Sequence, residues 1–113
     1  MKYIDHVLTK EEVKKLRNEF GDYVKITADI KKEQLVAGCI LHADGERILL
    51  EKGSRQDDIW GGGINFATGE IDATAILNLR PRLNNNSIEL LDEKRRKKFL
   101  ATVKKVFSKL WEK

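Results

Sequence analysis

Val24-Lys25-Ile26-Thr27-Ala28-Asp29-Ile30-Lys31, followed after Lys32-Glu33-Gln34 by Leu35-Val36-Ala37-Gly38-Cys39-Ile40-Leu41, is the stretch on which the fold turns. In the first part apolar and polar residues alternate with period two, the signature of a strand buried on one face. The second part is apolar almost throughout, as in a strand covered on both faces. Asp44-Gly45 has the composition of a two-residue hairpin turn and leads into a further predicted strand at residues 47–52. That turn pairs Ile40 with Leu49 and Gly38 with Glu51. A turn at Lys32-Glu33, or a four-residue loop around it, pairs Ile30 with Leu35 and Thr27 with Gly38. One sheet face then carries Val24, Ile26, Ala28, Ile30, Leu35, Ala37, Cys39, Leu41, Ile48 and Leu50. The other carries Lys25, Thr27, Asp29, Gly38, His42, Arg47 and Glu51, mixed with Val36, Ile40 and Leu49.

Helices flank this block. Thr9 and Glu12 have the spacing of a capping box, with Leu8 and Val13 placed as its hydrophobic staple. Val13, Leu16 and Phe20 recur at helical spacing, and Gly21 suits a left-handed C-terminal cap, so a helix is predicted over residues 10–20. Behind an Asp92 cap, Phe99, Leu100, Val103, Val106, Phe107, Leu110 and Trp111 form one apolar stripe of a C-terminal helix. Ile71, Ala73, Ala75, Leu77 and Leu79 alternate with polar residues in a last strand that Pro81 ends, with a short strand at residues 64–66 pairing to it across Thr68-Gly69. The expectation is a single α+β domain over residues 1–113. A mostly antiparallel sheet of four to five strands carries the N-terminal and C-terminal helices on one face.

Composition narrows the class. With 41% hydrophobic and 35% charged residues the chain has the balance of a soluble globular protein. The single Cys39 lies in an apolar run and reads as a small buried hydrophobe in a reducing compartment. No apolar run approaches the roughly 18 residues of a membrane-spanning helix, and the N-terminus lacks a basic-then-apolar leader. A cytoplasmic protein without membrane attachment is expected. The net charge of +4 is local: residues 91–113 hold nine Lys and Arg against three Asp and Glu, and residues 1–90 hold 13 against 15.

The stretch Gly53-Ser54-Arg55-Gln56-Asp57-Asp58-Ile59-Trp60-Gly61-Gly62-Gly63-Ile64-Asn65 interrupts the strand pattern and reads as a glycine-rich functional loop. Val36-Ala37-Gly38 with His42-Ala43-Asp44, then Leu50-Glu51-Lys52-Gly53-Ser54 with Gln56 and Trp60-Gly61, then Ile76-Leu77-Asn78-Leu79-Arg80-Pro81, resembles a small archaeal and bacterial family. Its members have about 110 residues and are known only as a domain of unknown function. The resemblance covers roughly Thr9 to Phe107, implies a compact α+β domain, and directs attention to His42, Asp44, Glu51, Gln56, Trp60, Asn65, Asp72, Asn78 and Arg80. The Gly61-Gly62-Gly63 run and a shorter spacing between Phe66 and Ile71 depart from the family pattern.

Residue chemistry points to binding more than to catalysis. Two histidines in the whole chain give no zinc-type spacing, so no metal or cofactor is expected. Ser54 lacks a G-x-S-x-G context, and the glycine run lacks both the Walker lysine and the G-x-G-x-x-G spacing. Whether the protein is an enzyme is left open. The favoured reading is a binding module for an unknown ligand, with a pocket between the polar sheet face and the 53–65 loop. Trp60 is expected to lie over that face, with Arg80 held by Asp72, Glu51 or a loop carbonyl. Covering the mixed face through a homodimer is a second arrangement. The alternative function is an RNA-binding or ribonuclease-toxin-like protein, using Lys25, His42, Arg47 and Arg80 on the sheet and the basic C-terminal helix. Nucleic acid is the less favoured partner, because those positives lie off the apolar stripe and no aromatic stacking motif accompanies them.

Overall fold

The computed structural model describes residues 1–112. Five strands, β1 (Lys2–Ile4), β2 (Tyr23–Asp29), β3 (Gln34–Ala37), β4 (Ile59–Asn65) and β5 (Ile71–Asp72), form one antiparallel sheet in the order β1-β3-β2-β4-β5. Three helices accompany it: α1 (Lys10–Phe20), α2 (His42–Glu51) and α3 (Glu93–Val106). The expected α+β class, five-strand sheet and terminal helices are therefore present.

α1 begins as its sequence dictates. The Thr9 hydroxyl accepts from Glu12 N at 3.1 Å and the Glu12 carboxylate accepts from Thr9 N at 3.0 Å, which satisfies two amides that the helix itself leaves unpaired. It ends at Gly21, where φ is 89° and the amide donates to Arg17 O. Asp92 caps α3 by accepting from Arg95 N at 3.0 Å. Beyond Val106 the predicted helix tightens into a 3-10 turn, Ser108–Trp111. α1 and α3 pack on one sheet face, where Val13 and Leu16 join Phe99, Val103 and Val106 over Val24, Ile26, Ala28, Leu35 and Ala37. This is the predicted core face, with Ile4 of β1 added. Three residues are too few to show a period, which is why β1 was not predicted.

The β2–β3 hairpin has a four-residue loop, but its register differs from the expected one. Ala28 faces Leu35 and Thr27 faces Val36. The shift is two residues, and because side chains alternate with period two the residues of β2 and β3 keep their predicted faces. The strand expected to reach Leu41 ends at Ala37, and beyond it Cys39, with Sγ 3.7 Å from Thr27 Oγ1, and Leu41, beside His42 and Lys25, leave the core face expected of them. The loop is held by Asp29, whose carboxylate accepts from Lys31 N and Lys32 N, both at 2.9 Å, and from the Ser54 hydroxyl at 2.6 Å. Ser54 is thus a buried structural donor.

Two predicted elements are overturned. Residues 47–52 are not a strand, and Asp44-Gly45 is not a turn: residues 44–51 belong to α2 and Lys52 caps it. Ile48-Leu49-Leu50 is an apolar triplet without alternation, so its period did not discriminate, and the tertiary environment decided. α2 lies on the sheet face opposite α1 and α3, and buries Leu49 against Val36 and Ile59. That polar, mixed face is consequently covered in part by the chain's own helix. Arg47 and Glu51 point to solvent from α2 and do not share the sheet face with Thr27.

The second correction concerns the glycine-rich segment. Residues 53–65 hold a 3-10 turn, Gln56–Asp58, and then β4, which pairs with β2 over its full length from Tyr23↔Asn65 to Asp29↔Ile59. Trp60 lies opposite Ala28, fully buried in the α1/α3 core, and not over the polar face. The expected 64–66 strand is the end of β4, and it pairs with β5 across Thr68-Gly69 as anticipated, Ile64 facing Ile71. The long strand predicted to Arg80 stops at Asp72. Beyond it the chain runs through a Thr74↔Glu89 bridge and two 3-10 turns, Ile76–Asn78 and Pro81–Leu83.

Gly45 allows α2 to sit this close to the sheet. A Cβ there would lie 2.7 Å from the Thr27 hydroxyl and 2.8 Å from Thr27 Cβ, and Thr27 is fully buried. On an exposed helix Gly→Ala stabilises by about 1 kcal/mol. Here Gly45→Ala is expected to destabilise by roughly 1–3 kcal/mol through overpacking. Urea denaturation measures it, and a stabilised variant would mean that α2 does not pack on Thr27.

Candidate functional site

The site is built around the bare centre of β4. A Cβ on Gly61 would lie 2.9 Å from His42 Cδ2 and one on Gly62 would lie 2.7 Å from Phe99 Cε1, while at Gly63 it would collide with the Tyr23 ring. The three glycines therefore make room for rings arriving from α2, α3 and β2. They do not form a phosphate loop. Tyr23 crosses Gly63 to donate its hydroxyl to Asp72 at 2.7 Å, and burial, reinforced by Asp72, keeps that hydroxyl protonated well above the usual phenol range.

Two buried amides organise the irregular segment beside β4. Asn78 accepts from Gly61 N at 2.9 Å and donates to Gly61 O at 2.9 Å, Ala73 O at 3.1 Å and Ile88 O at 3.2 Å. It supplies the bonds of a missing neighbouring strand. Asn85 donates to Asn78 O, Ser87 O and Glu89 O and accepts from Leu91 N. These contacts place residues 75–77 and Ile88 opposite the first turn of α2.

His42 opens α2 with its ring against Gly61, and its Nε2 lies 2.8 Å from Gly62 O. A carbonyl only accepts, so Nε2 carries the proton and Nδ1 of the neutral ring holds a lone pair. The Cδ2 edge faces the strand, which turns Nδ1 away from it. Burial, aided by the charge of Lys25, holds the imidazole below its ordinary 6.5, against smaller opposing pulls from Gly62 O and Asp72. The Thr27 hydroxyl donates to His42 O at 3.0 Å, and Lys25 Nζ donates to Ile40 O at 2.8 Å. Between α2 and the 75–88 segment lies a cleft of about 470 Å³. Its walls are Leu41, Ala43, Ala75, Ile76, Leu77 and Ile88, and only His42 and Lys25 bring polar groups to it. Ile76 stands at its rim, 83% exposed.

Of the nine residues singled out from sequence, His42 alone lines this cleft. Asp44 lies in the first turn of α2, its carboxylate 3.4 Å from Leu41 N. Glu51 and Gln56 are exposed. Asn65 accepts from Ala67 N and Thr68 N in the β4–β5 turn, and Asp72 holds Tyr23 and Thr74 N. Asn78 clamps β4. Trp60 donates to Asp57 O at 3.0 Å and stacks under two guanidinium groups, Arg80 at 4.7 Å and Arg95 at 5.0 Å from the ring centroid. Arg80 donates to Ile59 O at 2.7 Å and Gln56 O at 3.1 Å, the loop-carbonyl arrangement that was expected, and it also pairs with Glu46 at 3.0 Å. Lys25 was named only with the RNA-binding alternative, and the apolar walls were not among the candidates. They carried no separate signal, because the predicted strands had already assigned Leu41 to the core face, Ile40 to a pair with Leu49 and Leu77 to an alternating apolar set.

The family profile described as Protein of unknown function (DUF5674) matches residues 2–106. The chain belongs to the DUF5674 family. Comparison with curated proteins and with solved structures finds no match. No helix of the described residues is long and apolar enough to cross a membrane.

The two histidines of this DUF5674 member should separate cleanly by NMR. His6, exposed between Asp5 and Glu12, is raised above 6.5 by its hydrogen bonds to both, whereas His42 is lowered. Below about pH 6.5 the unfolded chain takes up a proton that folded His42 resists, so this site loses stability as pH falls. His6 acts in the opposite sense, favouring the fold below 6.5 and losing that contribution as pH rises through its folded value. Ring-proton titrations are expected to place one midpoint on each side of 6.5, and Lys25→Gln is expected to move the lower one up. A His42 midpoint above 6.5 would rule out the neutral ring.

Proposed function

We propose that the protein is a small binding module whose ligand occupies the cleft between the first turn of α2 and residues 75–88. The carrying observation is the cleft itself, about 470 Å³ with six apolar residues as walls and two polar groups convergent on it. Volume and composition are those of small-molecule sites. Binding is favoured over catalysis because, among the described residues, no nucleophilic hydroxyl or thiol lines the cleft and the His42 ring bonds a carbonyl, not an orienting carboxylate. This reading keeps the polar sheet face as one side of the proposed pocket and takes α2, in place of the 53–65 loop, as its other wall.

Nile red, a neutral solvatochromic dye, is the direct probe. Ala43 is exposed on α2 and lines the cleft, so Ala43→Trp fills it without touching the core. The native protein is expected to raise and blue-shift Nile red emission at a single site, and Ala43→Trp to abolish this with its unfolding midpoint unchanged. Equal emission from the variant would locate the dye elsewhere and sink the reading.

A second reading, RNA binding, has one observation in its favour. Lys94, Arg95 and Lys98 of α3 line two adjoining clefts, one of about 680 Å³ with Arg82, Leu83 and Leu91, the other of about 240 Å³ with Ile30 and Lys31. It ranks second because Asp57, Asp58 and Asp92 line the same clefts, and because the sheet cations named with it diverge. Arg80 spends its donors on Glu46 and two carbonyls, and Arg47 projects from α2. If this surface binds RNA, affinity for a single-stranded oligonucleotide falls steeply with salt and Lys94→Glu with Lys98→Glu abolishes it. The expected result is no salt-sensitive binding near physiological ionic strength.

A further inference from the structure

We propose that the ligand of the His42 cleft is an apolar molecule bearing a carboxylate or equivalent organic anion, held by Lys25. This rests on reading the cleft as a ligand site. Lys25 rises from β2 onto the face shared with His42, and its ammonium has three N–H donors of which the fold uses one, on Ile40 O at 2.8 Å. Among the described residues no carboxylate lies within 4.0 Å of it. A half-buried cation between apolar walls has lost hydration without gaining a counter-charge.

Asp72, whose charge acts on His42, and Asp44, in the same turn of α2 as His42, are already engaged. Asp72 accepts from the Tyr23 hydroxyl at 2.7 Å and from Thr74 N at 3.1 Å, and Asp44 turns back towards Leu41 N. Neither pairs with Lys25. The second polar group of the cleft, His42, presents the Nδ1 lone pair of a neutral ring, which accepts a hydrogen bond but repels an anion. The two groups therefore sort an amphipathic ligand: its anion goes to Lys25, its donor to His42, and its apolar body lies along Leu41, Ala75, Leu77 and Ile88. Charge-assisted hydrogen bonds from an ammonium to a carboxylate are about twice as strong as neutral ones, which makes the anion a selective handle and not only a solubilising group.

Octanoate, octanamide and octylamine share one apolar chain and differ in head group, so they separate the contribution of charge from that of the cleft. Each is titrated against Nile red and followed by amide shifts in the NMR spectrum. Octanoate is expected to bind about tenfold more tightly than octanamide, a difference of about 1.4 kcal/mol, with octylamine weakest. Lys25→Gln keeps a donor for Ile40 O while removing the charge, and is expected to level octanoate with octanamide. Lys25→Arg is expected to retain the preference. If octanoate and octanamide bind the native protein equally, with shifts at Ala43, Ala75 and Leu77, the cleft reading stands and the anion assignment fails. If none of the three displaces the dye or shifts those residues, the cleft reading fails and the assignment with it. The comparison within native protein decides the case even if the Lys25 variants do not fold.

Discussion

The structure depends on the approach of three aromatic rings to a strand that has no side chains to keep them away. β4 is the central partner of β2, and at Gly61, Gly62 and Gly63 its backbone is open to His42, Phe99 and Tyr23. Glycine in a strand interior ordinarily weakens it, through entropy and lost packing. Here the lost contacts are replaced by the rings, and the backbone of Gly61 is held by the Asn78 amide on its N–H and its carbonyl. One consequence is architectural: α2 and α3 come close to opposite faces of the same strand, so that the sheet is covered on both sides.

The other consequence is chemical. Because Gly61 has no Cβ, the His42 ring can lie on the strand and reach Gly62 O, and that contact settles which nitrogen carries the proton. Burial and the Lys25 charge then keep the ring neutral. A histidine at the first turn of a helix is already in a place that disfavours its cation, since the helix N-terminus carries partial positive charge. Lys25 and His42 thus differ in character within one cleft, an ammonium donor and a neutral acceptor set among apolar walls.

The buried polar groups away from the cleft show how much of the chain's unusual composition is structural. Arg80 ties the 3-10 turn at Gln56–Asp58 and the start of β4 to Glu46 of α2, while its guanidinium stacks on Trp60. Asn85, from a run of three asparagines, closes the 78–91 loop with four hydrogen bonds. Asn78, Asn85, Trp60 and Asp29 all look functional as isolated letters in a sequence. Each is a fully paired member of the fold, as buried polar groups must be.

What the sequence by itself determined is what depends on neighbours three or four residues away or on strict alternation. The Thr9/Glu12 box, the Gly21 cap, the Phe99–Val103–Val106 stripe and the core face of β2 and β3 are local or periodic, and they survived even a two-residue error in hairpin register because period two preserves faces. Tertiary structure alone decided α2 and β4. Residues 42–51 contain a glycine and an apolar triplet that suit a hairpin as well as a helix, and only burial of Leu49 against Val36 and Ile59, with Gly45 pressed on Thr27, selects the helix. Residues 59–65 look like a loop because three glycines erase the alternation. They are a strand because β2 offers seven paired backbone positions and because side chains from elsewhere in the chain fill the space. His42 was legible as a candidate, but its tautomer, its neutrality and its cleft required those two elements to meet, and no spacing along the chain records that meeting.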